Sequence, residues 1–226
     1  DAALNESYKV ADNAPCDVIL GTDPDCDRVA IAVPSEKGYQ KLSGNELGCL
    51  LLDYILKSRT EKADLPQGAI AVRSIVSSPL ADQIAQHYGV EMKAVLTGFK
   101  YIGGEILELE KIHQENKYIF GFEESCGYLK GTYARDKDAI VAAMLVCELA
   151  ASLKMQGKNI LDALDGLYKK YGYYNAKVAS FAKEPDIGIA LDVTGWGDTP
   201  EYVGDRDEDG TPWSFASHRA AIPACT

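Results

Sequence analysis

No stretch of eighteen consecutive apolar residues occurs in this chain, so it offers no membrane-spanning helix. Basic residues are in deficit: 23 Lys and Arg stand against 34 Asp and Glu, a net charge of −11. Broad nucleic-acid binding needs clustered cations and is excluded; an anionic substrate held by a few local basic groups is not. Histidine is scarce, at three residues, and His87 and His113 fall on amphipathic helical patterns with no chemical role expected. Six cysteines are present without a CxxC pair. They read as buried free thiols of a reducing cytosol, with Cys49 and Cys147 inside apolar helical patterns. No signal-peptide pattern is visible. The chain starts at Asp1 rather than Met, so a fragment or processed product of a cytoplasmic protein is expected.

With 226 residues, 46% of them hydrophobic, the chain can bury one or two cores. Cys16 to Leu20 and Arg28 to Val33 read as short strands flanking an acidic turn. Ser43-Gly-Asn-Glu46 has capping-box spacing ahead of an apolar periodic run to about Lys57. Strands and helices then alternate: strand from Ala69 to Val76, helix opened by Ser78-Pro79 and ended by Gly89, strand from Val90 to Leu96. A helix from Phe99 to about Gln114, a strand from Lys117 to Phe122, and helices from Asp138 to about Met155 and Asn159 to Tyr171 follow. This order predicts a mainly parallel sheet covered on both faces, with sites beyond the carboxyl ends of its strands. Residues 34–42 read as a linker. The tail after about residue 183, with GWGDTP and DRDEDG, reads as loop-rich.

Asp23, Asp25 and Asp27 stand two apart in GTDPDCDRVAIAV. Carboxylates are hard ligands suited to Mg²⁺ or Ca²⁺, and residues two apart in an extended turn can converge on one ion; a solvated acidic turn is the plain alternative. An EF-hand loop is excluded, because Arg28 stands where Gly is needed and Pro34 where Glu is needed. Asp25-Cys-Asp-Arg-Val29 imitates the DxDxV string of haloacid-dehalogenase-type phosphatases, but Gly-Thr-Asp-Pro separates it from the preceding apolar strand.

GTDPDCDRVAIAV, LSGNELGCLLLDYIL, LTGFKYIG, FGFEESCGYL and ARDKDAIVAAMLVCELAA occur in that order over roughly residues 15–175. Together they resemble the α-D-phosphohexomutases, the phosphoglucomutase and phosphomannomutase family. The resemblance implies a three-layer α/β/α sandwich with a mixed, mainly parallel sheet, plus part of a second such domain. Residues 1–40 would end the family's second domain, 41–175 would form its third, and 176–226 an atypical tail. It implies Mg²⁺ held by Asp23, Asp25 and Asp27, with Arg28 near a phosphoserine outside this chain. It implies sugar contacts from Thr97, Gly98, Glu123 and Ser125, with Phe122 standing where many members have a small residue. It implies that Lys137 of the RDKD string sits near phosphate and transfers a proton. The substrates would be a hexose phosphate and a hexose 1,6-bisphosphate, in a fragment inactive alone. Phosphopentomutase, a phosphatase and a non-catalytic sugar-phosphate-binding module remain alternatives. Each residue also has a plain reading: Lys137 and Arg135 pairing with Asp136 and Asp138, the two glutamates solvated, Gly98 serving only a turn.

The family's serine loop and its RxSGTEP-like phosphate string are missing from the sequence. Phe215-Ala-Ser-His-Arg219 shares three letters with the serine motif but lies on the wrong side of the aspartates. EPDIGIALDVTGWGDTP faintly resembles a segment of dinuclear-metal aminopeptidases, with Asp192 in the ligand position; nothing else of such an enzyme is present. A shifted reading frame would account for such a tail.

Overall fold

Ser43 begins the largest helix as its spacing predicts. Its hydroxyl accepts the Glu46 amide at 3.2 Å, and the Glu46 carboxylate accepts the Ser43 amide at 2.7 Å, which satisfies two amides that an uncapped helix leaves open. The resulting helix buries Leu47, Leu50, Leu51, Leu52, Ile55 and Leu56. The structure is a computed structural model that describes residues 4–175; the tail segments, with Asp192 and Ser217, lie outside the described residues.

The elements in order are α1 (Asn5–Asn13), β1 (Ile19–Thr22), β2 (Val29–Ser35), β3 (Gly38–Lys41), α2 (Gly44–Glu61), β4 (Ile70–Ser74), α3 (Leu80–His87), β5 (Glu91–Val95), α4 (Phe99–Lys111), β6 (Tyr118–Glu123), β7 (Gly127–Leu129), α5 (Ala139–Lys154) and α6 (Ile160–Tyr171). They form two sheets. β1, β2 and β3 make an antiparallel sheet in chain order, and the second runs β5-β4-β6-β7. In the second, β4 pairs parallel with β5 and β6, while β7 returns antiparallel on β6.

The layering follows from the strand period of two. Along β4, Ala71 enters one core cluster with α2 and α3 residues, whereas Ile70 and Val72 enter another with Phe99, Ile102, Ile106 and Leu109 of α4. The sheet is therefore covered on both faces, as the alternation predicts. The first cluster also takes in Val29, Ile31 and Val33 of β2 and Leu145, Leu149 and Leu164 of α5 and α6.

Four details differ from the sequence reading. Residues 34–42 are no plain linker: they carry the end of β2 and all of β3. α1 was not foreseen, because only Ala11 of that helix is buried and Leu4 supplies no side-chain cap. Pro79 takes the N-cap position of α3 rather than the first helical one. Cys147 lies on the exposed side of α5, while Cys49 is buried.

Candidate active site

The acidic turn joins β1 to β2 as an antiparallel hairpin. Asp23 shapes it from within: its Oδ1 accepts the amides of Asp27 at 3.1 Å and Arg28 at 3.0 Å. Cys26 takes a left-handed backbone, φ +57°, where its amide meets the Asp23 carbonyl at 3.1 Å. The Arg28 amide, with the Asp27 contacts behind it, holds the Asp23 carboxyl below its ordinary acid range against a smaller opposing effect of burial. Ligand oxygens of Asp23, Asp25 and Asp27 all lie within 4.8 Å of one another. Three hard anionic donors at that spacing fit Mg²⁺ or a similar oxygen-seeking cation.

Backbone bonds fasten this turn to two others. The Val29 amide donates to the Cys126 carbonyl at 3.1 Å and the Ala139 amide to the Cys26 carbonyl at 3.1 Å, and Arg28 bridges Gly127. The aspartates thus sit beside the β6–β7 turn, at the carboxyl end of a parallel strand and at the start of α5. Arg28 Nε stands 3.7 Å from Asp27 and 4.0 Å from Asp23.

Lys137 completes the group from far downstream in the chain. Its Nζ lies 2.9 Å from Asp27 Oδ2 and 2.9 Å from Asp136 Oδ1. A Cβ at Gly127 would fall 2.2 Å from Lys137 Cδ, so the bare backbone there makes room for the lysine stem. The Phe99 ring lies across from the ammonium, with its centroid at 5.4 Å. Burial pushes the lysine toward neutrality, but the Asp136 and Asp27 bonds outweigh it and hold it charged above its usual range. The plain reading of Lys137 is thus half met, since it does pair with Asp136. Arg135 does not pair with Asp138; it takes Glu110 and the Thr132 carbonyl instead.

Glu123 ends β6 and is buried, its Oε1 accepting the Gly98 amide at 2.6 Å. Gly98 has φ +118°, a backbone that favours glycine and here aims the amide at the glutamate. Thr97 and Ser125 are exposed at the tips of their loops. The β5–α4 and β6–β7 loops therefore meet at the carboxyl ends of the two parallel strands that flank β4. Phe122 fills a definite place, its ring lying where a Cβ on Gly48 of α2 would fall.

One part of the site was missed. Glu124 accepts the Ser74 hydroxyl at 2.9 Å, which also meets Ser77 at 2.8 Å. Arg73 holds that loop, donating to Asp82 at 2.7 and 2.8 Å and to the Ser74 and Ser77 carbonyls at 3.0 and 3.1 Å. The available signal was an arginine inside the apolar strand Ile-Ala-Val-Arg-Ser, since arginine is rarely buried without a partner.

Residues 43–171, more than half of the chain, match the family model "Phosphoglucomutase/phosphomannomutase, alpha/beta/alpha domain III". The chain belongs to the phosphoglucomutase/phosphomannomutase family. A phosphoglucomutase of Staphylococcus epidermidis is 41% identical over 189 residues, covering 83% of this chain and 33% of the relative. One from Staphylococcus aureus is 37% identical over 183 residues, covering 80% and 32%. The chain spans about a third of the length of these curated relatives. Among solved structures, a putative phosphomannomutase from Thermus thermophilus superposes with a TM-score of 0.59 at 22% identity, covering 76% of this chain and 36% of that one. A family member from Burkholderia thailandensis gives 0.56 at 15% identity, with 73% and 31% covered. At such identities the likeness is one of fold, and it agrees with the α/β/α layering described above.

Proposed function

We propose that this chain carries the metal loop, the sugar-reading loop and the phosphate-side lysine of a cytoplasmic hexose-phosphate mutase. The reaction is transfer of a phosphoryl group between the 1- and 6-hydroxyls of a hexose, through a phosphoserine and a hexose 1,6-bisphosphate. The carrying observation is the convergence of Asp23, Asp25 and Asp27 within 4.8 Å, with Lys137 2.9 Å from Asp27. In the family's terms, residues 1–40 close a second domain and 41–175 form a third.

Asp23, Asp25 and Asp27 would hold Mg²⁺, which when bound neutralises charge developing on phosphoryl oxygens. Glu123 keeps one carboxylate oxygen for a sugar hydroxyl while the other fixes the Gly98 amide. Ser125 either donates to or accepts from the sugar, and Thr97 borders it. Arg28 faces the phosphoserine as a mobile, half-exposed cation. Lys137 donates to the transferring phosphate and moves a proton at the sugar oxygen. A phosphoserine carries close to two negative charges, so these groups keep it beside three carboxylates.

The chain by itself is expected to be inactive, having no serine loop of the family type in its sequence. The test puts residues 15–175 in place of the matching segment of the Staphylococcus epidermidis relative. Glucose 1-phosphate is supplied with Mg²⁺ and a trace of glucose 1,6-bisphosphate, beside an Asp25→Asn control. Isomerisation that Asp25→Asn abolishes is expected. Release of inorganic phosphate would point instead to a phosphatase, and binding without turnover to a non-catalytic module. Faster conversion of a pentose phosphate would favour phosphopentomutase.

A further inference from the structure

We infer that Lys137 is the resident cation of the aspartate loop and that a metal entering the loop displaces it from Asp27; this rests on the reading of the loop as a metal site. The ammonium bridges one carboxylate inside the loop, Asp27 at 2.9 Å, to one outside it, Asp136 at 2.9 Å. Its stem is confined. Gly127 leaves it room on one side, where a Cβ would fall 2.2 Å from Cδ and 2.8 Å from Cγ. Phe99 stands near the head, and the side chain is 12% exposed. What remains free is a short swing of the ammonium between two carboxylates.

Asp27 is one of three residues whose ligand oxygens lie within 4.8 Å of one another. A divalent cation among them therefore comes close to an ammonium bonded to one of them, and like charges at that range repel. Asp136 offers the lysine an exit that needs no movement of the stem, because the two are already bonded. Arg28 is a weaker competitor. Its Nε is 3.7 Å from the nearest of these carboxylates and its side chain is 55% exposed, so it yields by turning into solvent.

Metal loading and release of Lys137 from Asp27 are then one event. By linkage, an anion that draws Lys137 away from Asp27 tightens the metal by the same factor by which the metal tightens the anion. The loop and the phosphate-side lysine thus arm each other before any chemistry. They share a carboxylate, Asp27, that cannot serve both cations fully.

The test uses this chain with Mn²⁺ as the probe, its binding followed by loss of the free-ion electron paramagnetic resonance signal. Lysines are acetylated with an amine-reactive ester and quantified peptide by peptide by mass spectrometry. Acetylation of Lys137 is expected to rise severalfold at saturating Mn²⁺. Lys154, paired with Asp17 instead, serves as the unchanged reference. Lys137→Met is expected to bind Mn²⁺ about tenfold tighter, within the usual range of such couplings. Removing a positive charge would tighten the ion by itself, so the labelling of the unaltered chain decides. Bound Mn²⁺ with unchanged Lys137 labelling would overturn the exchange, and so would weaker Mn²⁺ binding in Lys137→Met. No Mn²⁺ binding by either protein would remove the metal loop itself, an outcome distinct from failure of the exchange alone.

Discussion

Asp23 and Asp25 have the same chemistry and different duties. Asp23 accepts two backbone amides and so builds the turn, whereas Asp25 is exposed. Asp25→Ala is therefore expected to leave stability within roughly 0.5 kcal/mol, as surface changes do. It should weaken Mn²⁺ by about tenfold or more, since ligand charge sets affinity. Thermal melts and Mn²⁺ titration on one preparation check both; a large fall in melting temperature would show that Asp25 is structural. Asp138 makes a different point. Its side chain caps α5, accepting the Ile140 amide at 2.8 Å and the Val141 amide at 3.0 Å, with the Tyr133 hydroxyl also donating to it. Burial raises its pKa, but these bonds outweigh burial and lower it overall. A carboxyl depressed in the folded state stabilises fully above its unfolded value, near 3.9, and loses that contribution as pH falls through the folded value. Asp138→Ala should thus cost about 0.5–2 kcal/mol at neutral pH, and the gap to the unaltered chain should close in acid. A gap independent of pH would separate the cap from the carboxylate charge. Cys49 carries a thiol that burial pushes up to about 12, so it should resist thiol reagents that modify exposed Cys26 and Cys147 until the chain unfolds.

At the scale of elements, close approach fixes the site. α2 meets the β6–β7 turn at Gly44, where a Cβ would lie 2.1 Å from the Glu124 carbonyl oxygen and 2.7 Å from the Cys126 amide nitrogen. Both neighbours are backbone, so neither can swing aside. Gly44→Ala is expected to cost about 1–3 kcal/mol, the usual range for overpacking. It should also shift the Cys126 amide, seen by amide chemical shifts; an unmoved turn would show that α2 yields instead. The same elements show what could be read from the sequence. α2 was legible because its signals are local: a capping box and a helical period. The acidic turn was legible because its three carboxylates are two residues apart. β3 was not, since its burial is exposed, partial, exposed, exposed and so carries no apolar alternation. β7 has three residues, too few to show a period, and the EESC stretch before it therefore read as a loop rather than a hairpin turn. Arg73 with Asp82, and Lys137 with Asp27, are pairings made by the fold, and residue spacing alone does not encode them.

At the scale of the whole molecule, the site is built across a shared core. Val29, Ile31 and Val33, which follow the aspartates in β2, lie in one buried cluster with Leu47, Leu51, Phe122, Leu145, Leu149 and Leu164. The turn itself hangs on backbone bonds to Cys126 and Ala139. Loss of the helices should therefore release the aspartate loop, and any ion held by that loop should stabilise the helices. A ligand that binds the folded state alone adds about 2.7 kcal/mol at one hundred times its dissociation constant. The chain is accordingly expected to unfold in a single calorimetric transition that Mg²⁺ moves upward as a whole, and Asp25→Ala should abolish that rise. Leu51→Ala, fully buried on α2, is expected to cost about 2–5 kcal/mol and to lower the same single transition. Two transitions, with Mg²⁺ moving one of them, would mean that the aspartate hairpin folds apart from the α/β/α layers. A shared core would then be the wrong account of how Asp27 is held against Lys137.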